Sequence, residues 1–352
     1  MRPVWLFARP AEFPQIWPFV EAPLCARLAE TGSVVVVTAE RDQALEDVAD
    51  PRRITGIAWF GGRFTGGTVA AAPRLRVVGC NTDNTGHGLP LAELVARGIP
   101  IIDTTRTWGQ SVAELALALA LYALRHTPAW HQEVASGAPL FRYEAKQFCD
   151  AHAFVSGELG TKRVGIIGLG QIGGRVARRC VALGADAATG PTLRGQVLGY
   201  DPYLPASVAQ AWGVRLVDMD TLVDQSEVLF VLAPPTPSAK DLLNRERIAR
   251  LQTGALVVMA TRAYAVDMVA LRERLLANEL AAGLDVYDVE PLPSDDPLRA
   301  RANVVHTPHI AGRTRDANWR TADLLADDVA RVLCGEAPLH RLTGAAIAAR
   351  TG

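Results

Sequence analysis

The stretch RVGIIGLGQIGGRVARRCVALG, which begins at Arg163, limits the possible folds more than any other part of this chain. An apolar run at 164–167 passes through Gly168, Gly170 and Gly173 into a segment with helical spacing of apolar residues. A strand that turns through G-x-G-x-x-G into a helix has a physical use for each glycine. The first makes a tight turn, the second lets backbone approach a pyrophosphate, and the third lets helix and strand pack closely. The free N–H groups at the start of the helix then face the anion. Gln171 and Ile172 lie inside the same turn and join the three glycines as candidate contacts. The next strand, QVLGYDPY, ends at Asp201. A carboxylate there can accept hydrogen bonds from adenosine ribose hydroxyls and would repel a 2′-phosphate, so NAD is expected over NADP. Asp201 stands 28 residues after Gly173, beyond the usual spacing of about 20. Segment 187–195 therefore reads as an insertion, and its Arg194 is the residue that could favour a 2′-phosphate instead.

The remaining sequence alternates in the same way. Short β-branched runs at 4–8, 34–38, 57–60, 75–79 and 99–103 are separated by helical segments that include 22–30 and 89–97. Such alternation predicts a parallel sheet covered by helices. A longer helix is expected at 111–125, with Ser111 as its cap and Glu114 completing a capping box. The mixed stretch 127–159 breaks the rhythm and reads as an arm onto a second subunit. Further strands are expected at 163–168, 196–201, 228–232, 255–260, 282–286 and 304–307, with helices at 170–183, 219–225, 244–250 and 268–278. Six strands with crossover helices make a complete dinucleotide-binding sheet. A last helix is expected at 315–333.

A chain of 352 residues has room for two domains, and 49% hydrophobic with 21% charged residues is a globular balance. A net charge of -1 offers no field for nucleic acid or an anionic membrane, so the partner should be small and bound locally. The five cysteines, Cys25, Cys80, Cys149, Cys180 and Cys334, are scattered without a CxxC pair, which reads as reduced thiols rather than a disulfide framework. No signal peptide is visible and the most apolar helix is too short for a bilayer, so a cytoplasmic location is expected.

Three ordered stretches carry a resemblance: TRAYAVDMVAL with Arg262, GLDVYDVEPLP with Asp285 and Glu290, and NVVHTPHIAGRT with His309. With GLGQIG, YDPY and APPTPSAKDLL, they resemble the D-isomer-specific 2-hydroxyacid dehydrogenases, a family that includes phosphoglycerate, glycerate, D-lactate and formate dehydrogenases. The resemblance implies an α/β protein of two Rossmann-like parallel-sheet domains. A flavodoxin-like substrate domain (1–106 and 315–352) would receive an inserted NAD-binding domain (107–314), with the active-site cleft between them. The family's reaction moves a hydride between NAD and a small anionic 2-oxo or 2-hydroxy acid. His309 would be general acid in reduction and general base in oxidation, a role suited to an imidazole. Glu290 would bind the other ring nitrogen and Arg262 would grip the substrate with a permanently charged fork. Pro234, Thr236, Ala260, Thr261, Asp285, His309 and Gly312 would border the cofactor, with Asp285 near the nicotinamide. A homodimer through the NAD-binding domain is implied, and no metal is needed where Arg and His polarise the carbonyl.

This chain departs from the family pattern in places. Gly-Gly usually follows the arginine, where Ala263 and Tyr264 stand here, and His often fills the strand end occupied by Leu232 and Ala233. The family binds the substrate carboxylate on a Gly-rich loop; the matching stretch VVGCNTDNTGHG offers Cys80, Asn81 and Thr82 but fewer glycines. Arg63, in WFGGRF, could bind a second anionic group. Two other readings of the same sequence are an NAD-sensing protein like the dehydrogenase-like corepressors, and the same fold with formate or phosphite as hydride donor. The set Arg262, Glu290 and His309 disfavours the first; Glu290, where formate-type sites have Gln, disfavours the second.

Overall fold

The computed structural model describes residues 2–81, 89–137, 154–184 and 196–343. It forms two compact units, Met1–Trp108 with Arg313–Gly352, and Gly109–Gly312. The expected loop of Thr82, the insertion at 187–195, Cys149 and residues 138–153 of the expected arm lie outside the described residues. Within that arm region, the described part includes a helix at Thr127–Ala135.

The first unit is a five-stranded sheet of β1 (Val4–Arg9), β2 (Ser33–Thr38), β3 (Gly56–Trp59), β4 (Val77–Cys80) and β5 (Ile101–Asp103), in the order β2-β1-β3-β4-β5. Every pairing is parallel, and the order is that of flavodoxin-like doubly wound sheets. Side chains alternate across a strand, so β1 sends Trp5 and Phe7 into one core with Leu24, Leu28, Leu325 and Val329. It sends Leu6 and Ala8 into the other, with Val69, Val78 and Leu94. The first core is closed by the helices Glu21–Thr31 and Arg315–Leu333. Leu325 of the second helix fills the space a Cβ at Gly79 would need, which is why the centre of β4 carries no side chain.

The segment 339–342, after the last helix, is tied to this sheet. Leu342 N–H donates to Ile101 O at 2.7 Å and Asp103 N–H to His340 O at 3.0 Å, adding an antiparallel strap to β5. Asp328, fully buried on the last helix, accepts from the N–H groups of Leu339 (2.8 Å) and His340 (2.7 Å) and lies 3.0 Å from His340 Nδ1. Asp328→Ala leaves both N–H groups without their acceptor, and should lower stability by about 2–4 kcal/mol. Denaturant melts would show it, and hydrogen exchange should locate the loss at 339–342; a wild-type midpoint would refute the role.

The second unit has seven parallel strands: β6 (Arg163–Ile167), β7 (Gln196–Tyr200), β8 (Arg215–Leu216), β9 (Val228–Val231), β10 (Leu256–Met259), β11 (Ala281–Leu284) and β12 (Val304–His306). Their order, β12-β11-β10-β9-β6-β7-β8, is the doubly wound order with a seventh strand. The six expected strands are present, shorter by a residue or two. The seventh, β8, escaped the sequence because two residues carry no period. The strands β9, β10 and β11 are buried at every position, the pattern of parallel strands covered on both faces.

The expected cap at Ser111 is not formed. The helix runs Gly109–Leu124, directly after a 3₁₀ turn at Thr105–Trp108, so the backbone is already wound when Ser111 is reached. Ser111 is buried, and Glu114 accepts from the Gln110 side chain one turn before it. Among the described residues no helix is long and apolar enough to cross a membrane, and no group of His, Cys, Asp and Glu is placed to hold a metal ion.

Candidate active site

In a parallel sheet all the loops that follow the strands emerge on one edge, and ligands bind there beside the point where strand order reverses. In the second unit that point is β6, between β9 and β7. Gly168 follows β6 with φ +86°, a conformation open to glycine, and a Cβ there would lie 2.8 Å from Ala233 Cα. A Cβ on Gly173 would collide with the Gly168 carbonyl oxygen. A Cβ on Gly170 would meet no protein atom within 4 Å. Two glycines are thus required by the protein's own packing, whereas the middle one faces open space, as a cradle for a pyrophosphate requires. The helix Gly173–Gly184 begins at this turn, with Gln171 exposed and Ile172 half-buried beside it.

Asp201 has a role the motif did not disclose. Its Oδ2 accepts the Leu169 N–H at 2.8 Å and its Oδ1 the Tyr203 N–H at 2.9 Å, so it braces the glycine turn from the neighbouring strand. Asp201→Ala should therefore weaken NADH binding roughly 10- to 100-fold through loss of charge-assisted hydrogen bonds. It should also narrow the preference over NADPH; fluorescence titration with both would reveal unaltered affinities if the carboxylate is idle.

Around the same edge, Leu232 and Ala233 are buried, Pro234 is exposed, and Thr236 lies 3.2 Å from Ser238 through their hydroxyls. Ala260 is buried, and the Thr261 hydroxyl is 3.4 Å from the carbonyls of Val231 and Ala233. Arg262 caps a 3₁₀ turn, Ala263–Ala265, whose Tyr264 is exposed.

Glu290 and His309 sit on the loops after β11 and β12. His309 Nδ1 is 2.6 Å from Glu290 Oε2, and Glu290 Oε1 accepts the Tyr287 N–H at 2.9 Å. A carboxylate only accepts, so His309 Nδ1 carries a hydrogen and Nε2 is left for other work. Arg262 Nη1 lies 3.4 Å from that Nε2 and donates to the Thr261 carbonyl at 2.8 Å. The sequence set Arg262, Glu290 and His309 therefore converges, with about a third of the His309 and Glu290 side chains exposed for a ligand to reach (35% and 34%).

His309 adopts φ +54°, a left-handed conformation that a non-glycine residue holds only when its surroundings impose it. Asp285 supplies the constraint. Fully buried, its Oδ1 accepts from the Thr307 hydroxyl (2.6 Å) and the Ile310 N–H (2.9 Å), and its Oδ2 from the Ala311 N–H (2.9 Å). The motif gave Asp285 a place near the cofactor; the coordinates add that both its oxygens hold the loop of His309, which ends at half-buried Gly312.

Arg63, Cys80 and Asn81 lie in the first unit. Cys80 is buried at the end of β4, its carbonyl accepting from Thr104 N–H (2.9 Å) and hydroxyl (3.0 Å), and Asn81 is buried beyond it. Arg63 is exposed and held by its backbone, its N–H donating to Gln43 O at 2.7 Å. Among the described residues Cys25, Cys80, Cys180 and Cys334 form no disulfide, and burial pushes Cys25 up to about 11 and Cys180 to about 12, which keeps both protonated.

Residues 117–311 match the family model for the D-isomer specific 2-hydroxyacid dehydrogenase, NAD binding domain. The chain is 35% identical over 271 residues to a D-3-phosphoglycerate dehydrogenase of Archaeoglobus fulgidus, covering 76% of this chain and 47% of that protein. It is 31% identical over 278 residues to a hydroxypyruvate reductase of Thermotoga maritima, covering 77% of this chain and 82% of that one. Among solved structures, a phosphoglycerate oxidoreductase from Rhizobium etli has the same fold, with a TM-score of 0.76 over 97% of this chain and 99% of that one at 23% identity. Fold and glycine turn define a dinucleotide-binding oxidoreductase class. The chain belongs to the D-isomer specific 2-hydroxyacid dehydrogenase family. It spans about half the length of the phosphoglycerate dehydrogenases it matches, 47% of the one from Archaeoglobus fulgidus and 55% of the one from Methanocaldococcus jannaschii.

Proposed function

We propose that this protein reduces a small 2-oxo acid to its D-2-hydroxy acid with NADH, with His309 as the proton donor. The observation that carries the proposal is the pairing of His309 Nδ1 with Glu290 at 2.6 Å while its Nε2 and Arg262 Nη1 approach to 3.4 Å. A guanidinium and the Nε2 of an imidazole that is protonated before reduction, held side by side, suit a carbonyl oxygen that gains negative charge.

The turn Gly168–Gly173, braced by Asp201, would hold NADH, which would supply the hydride when bound. Arg262 turns its guanidinium from His309 to the substrate, gripping the carboxylate and polarising the 2-oxo group. His309 Nε2 gives its proton to the carbonyl oxygen, and Glu290 keeps the ring in the tautomer and orientation that this needs. Oxidation reverses each step. Asn81 and Arg63 are further substrate-binding residues in this reading. A cytoplasmic homodimer is part of the proposal, supported by exposed Leu121, Tyr122 and Val134 on consecutive helices of the second unit.

A panel of 2-oxo acids with NADH or NADPH, followed by absorbance at 340 nm, tests the reaction. Turnover with at least one acid, faster with NADH, is expected; cofactor binding without turnover on any of them would overturn it. Sedimentation should give twice the chain mass.

A further inference from the structure

Tyr287 is buried and His306 half-buried, and no step above uses either side chain. Tyr287 follows Asp285 by two residues and precedes Glu290 by three; His306 ends β12, three residues before His309. The two rings stack, with centroids 6.0 Å apart and planes at 20°. Tyr287 Oη lies 3.1 Å from His306 Nδ1 and 3.2 Å from each of the Leu284 and Thr307 carbonyls. On its far side His306 Nε2 is 3.0 Å from the Leu298 carbonyl.

The proton inventory fixes the direction of these bonds. A carbonyl only accepts, so His306 Nε2 carries a hydrogen and donates to Leu298. Burial, helped by Arg299 and opposed by the Leu298 carbonyl and Asp296, holds His306 below the ordinary histidine range, so the ring is neutral near pH 7. Its Nδ1 is then a bare acceptor. Burial and the charge of Asp285 push the Tyr287 phenol up to about 12, so it keeps its one proton, which His306 Nδ1 shares as acceptor with the Leu284 and Thr307 carbonyls. A phenylalanine at 287 or an aliphatic residue at 306 could not form this contact.

The bond joins the two loops on which the chemistry depends. Tyr287 holds Glu290 through its own N–H while its hydroxyl reaches the segment leading to His309. We propose that Tyr287 and His306 are positioning residues, a buried phenol–imidazole latch that fixes the separation of Glu290 from His309. The inference rests on His309 as the proton donor and deepens that reading. Misplacing a proton-transfer group by about 1 Å can cost on the order of 100-fold in rate.

Tyr287→Phe keeps the ring and removes the latch hydroxyl; His306→Leu removes its acceptor. Each should lower kcat about 10-fold or more with the KM for NADH unchanged, and the double variant should be no slower than the slower single, since either single already breaks the Tyr287 Oη–His306 Nδ1 bond. A second readout needs no turnover. The proton on His309 Nδ1, held against Glu290, should give a far-downfield NMR signal in wild type, vanish in Glu290→Gln and weaken or shift in Tyr287→Phe. Wild type without turnover on any 2-oxo acid would overturn the proposed function, and this signal would then decide the latch alone. Wild-type kcat together with an unaltered signal in Tyr287→Phe would overturn the latch. Should His306→Leu fail to fold, Tyr287→Phe, which keeps the stacked ring, carries both readouts.

Discussion

Replacing His309 by alanine is expected to lower kcat for 2-oxo acid reduction by about 10²- to 10⁴-fold, with NADH affinity unchanged. Under the proposal the proton comes from Nε2. Arg262, the other group at that point, is a permanent cation and cannot give up a proton near neutral pH. The cofactor cradle at Gly168–Gly173 belongs to a different loop, after β6, so NADH should bind the variant as it binds wild type. Glu290→Gln should be milder, because an amide can still orient the ring while losing the carboxylate's charge. Stopped-flow absorbance at 340 nm and fluorescence titration separate the two quantities. A His309→Ala enzyme within about threefold of wild-type kcat would assign the proton to another group.

The second large effect is expected from a single methyl group. Gly173→Ala drives a Cβ into the Gly168 carbonyl oxygen, where backbone meets backbone and neither can swing aside. Opening that contact should cost about 1–3 kcal/mol or more and abolish measurable NADH binding, because the turn and the helix start move together. Gly170→Ala makes the matching control. Its Cβ meets no protein atom, so the melting temperature should stay at the wild-type value while NADH affinity falls, the methyl occupying the space offered to the pyrophosphate. Calorimetric melts with and without NADH distinguish the pair. Equal behaviour of the two variants would mean that the three glycines do not divide their roles between packing and ligand approach.

Much of the fold was legible because parallel strands buried on both faces read as unbroken apolar runs, as at 228–231 and 256–259. The glycine turn was legible because its chemistry is local. What escaped was set by contacts remote in sequence. Ser111 has the right neighbours for a cap, yet the 3₁₀ turn before it moves the helix start to Gly109. Asp201 reads as a ribose ligand, but its bond to Leu169 spans 32 positions. Asp285 and Thr307, the braces of the His309 loop, are 22 apart and follow different strands, so no spacing rule pairs them. Tyr287 and His306 are missed for the same reason. The catalytic set itself was legible only through the resemblance, since nothing in the residues near Arg262 announces that His309 lies 47 positions away and within reach.

The central claim is a hydride delivered to the 2-carbon of an oxo acid, paired with a proton from His309. The most direct measurement uses NADH deuterated at C4 on the transferred face with an accepted 2-oxo acid, and mass and chiral analysis of the product. Wild type should form a D-2-hydroxy acid carrying one deuterium at C2, a product essentially absent within the same time with His309→Ala. A product of the L configuration, a product without deuterium, or equal label transfer by the two proteins would contradict it.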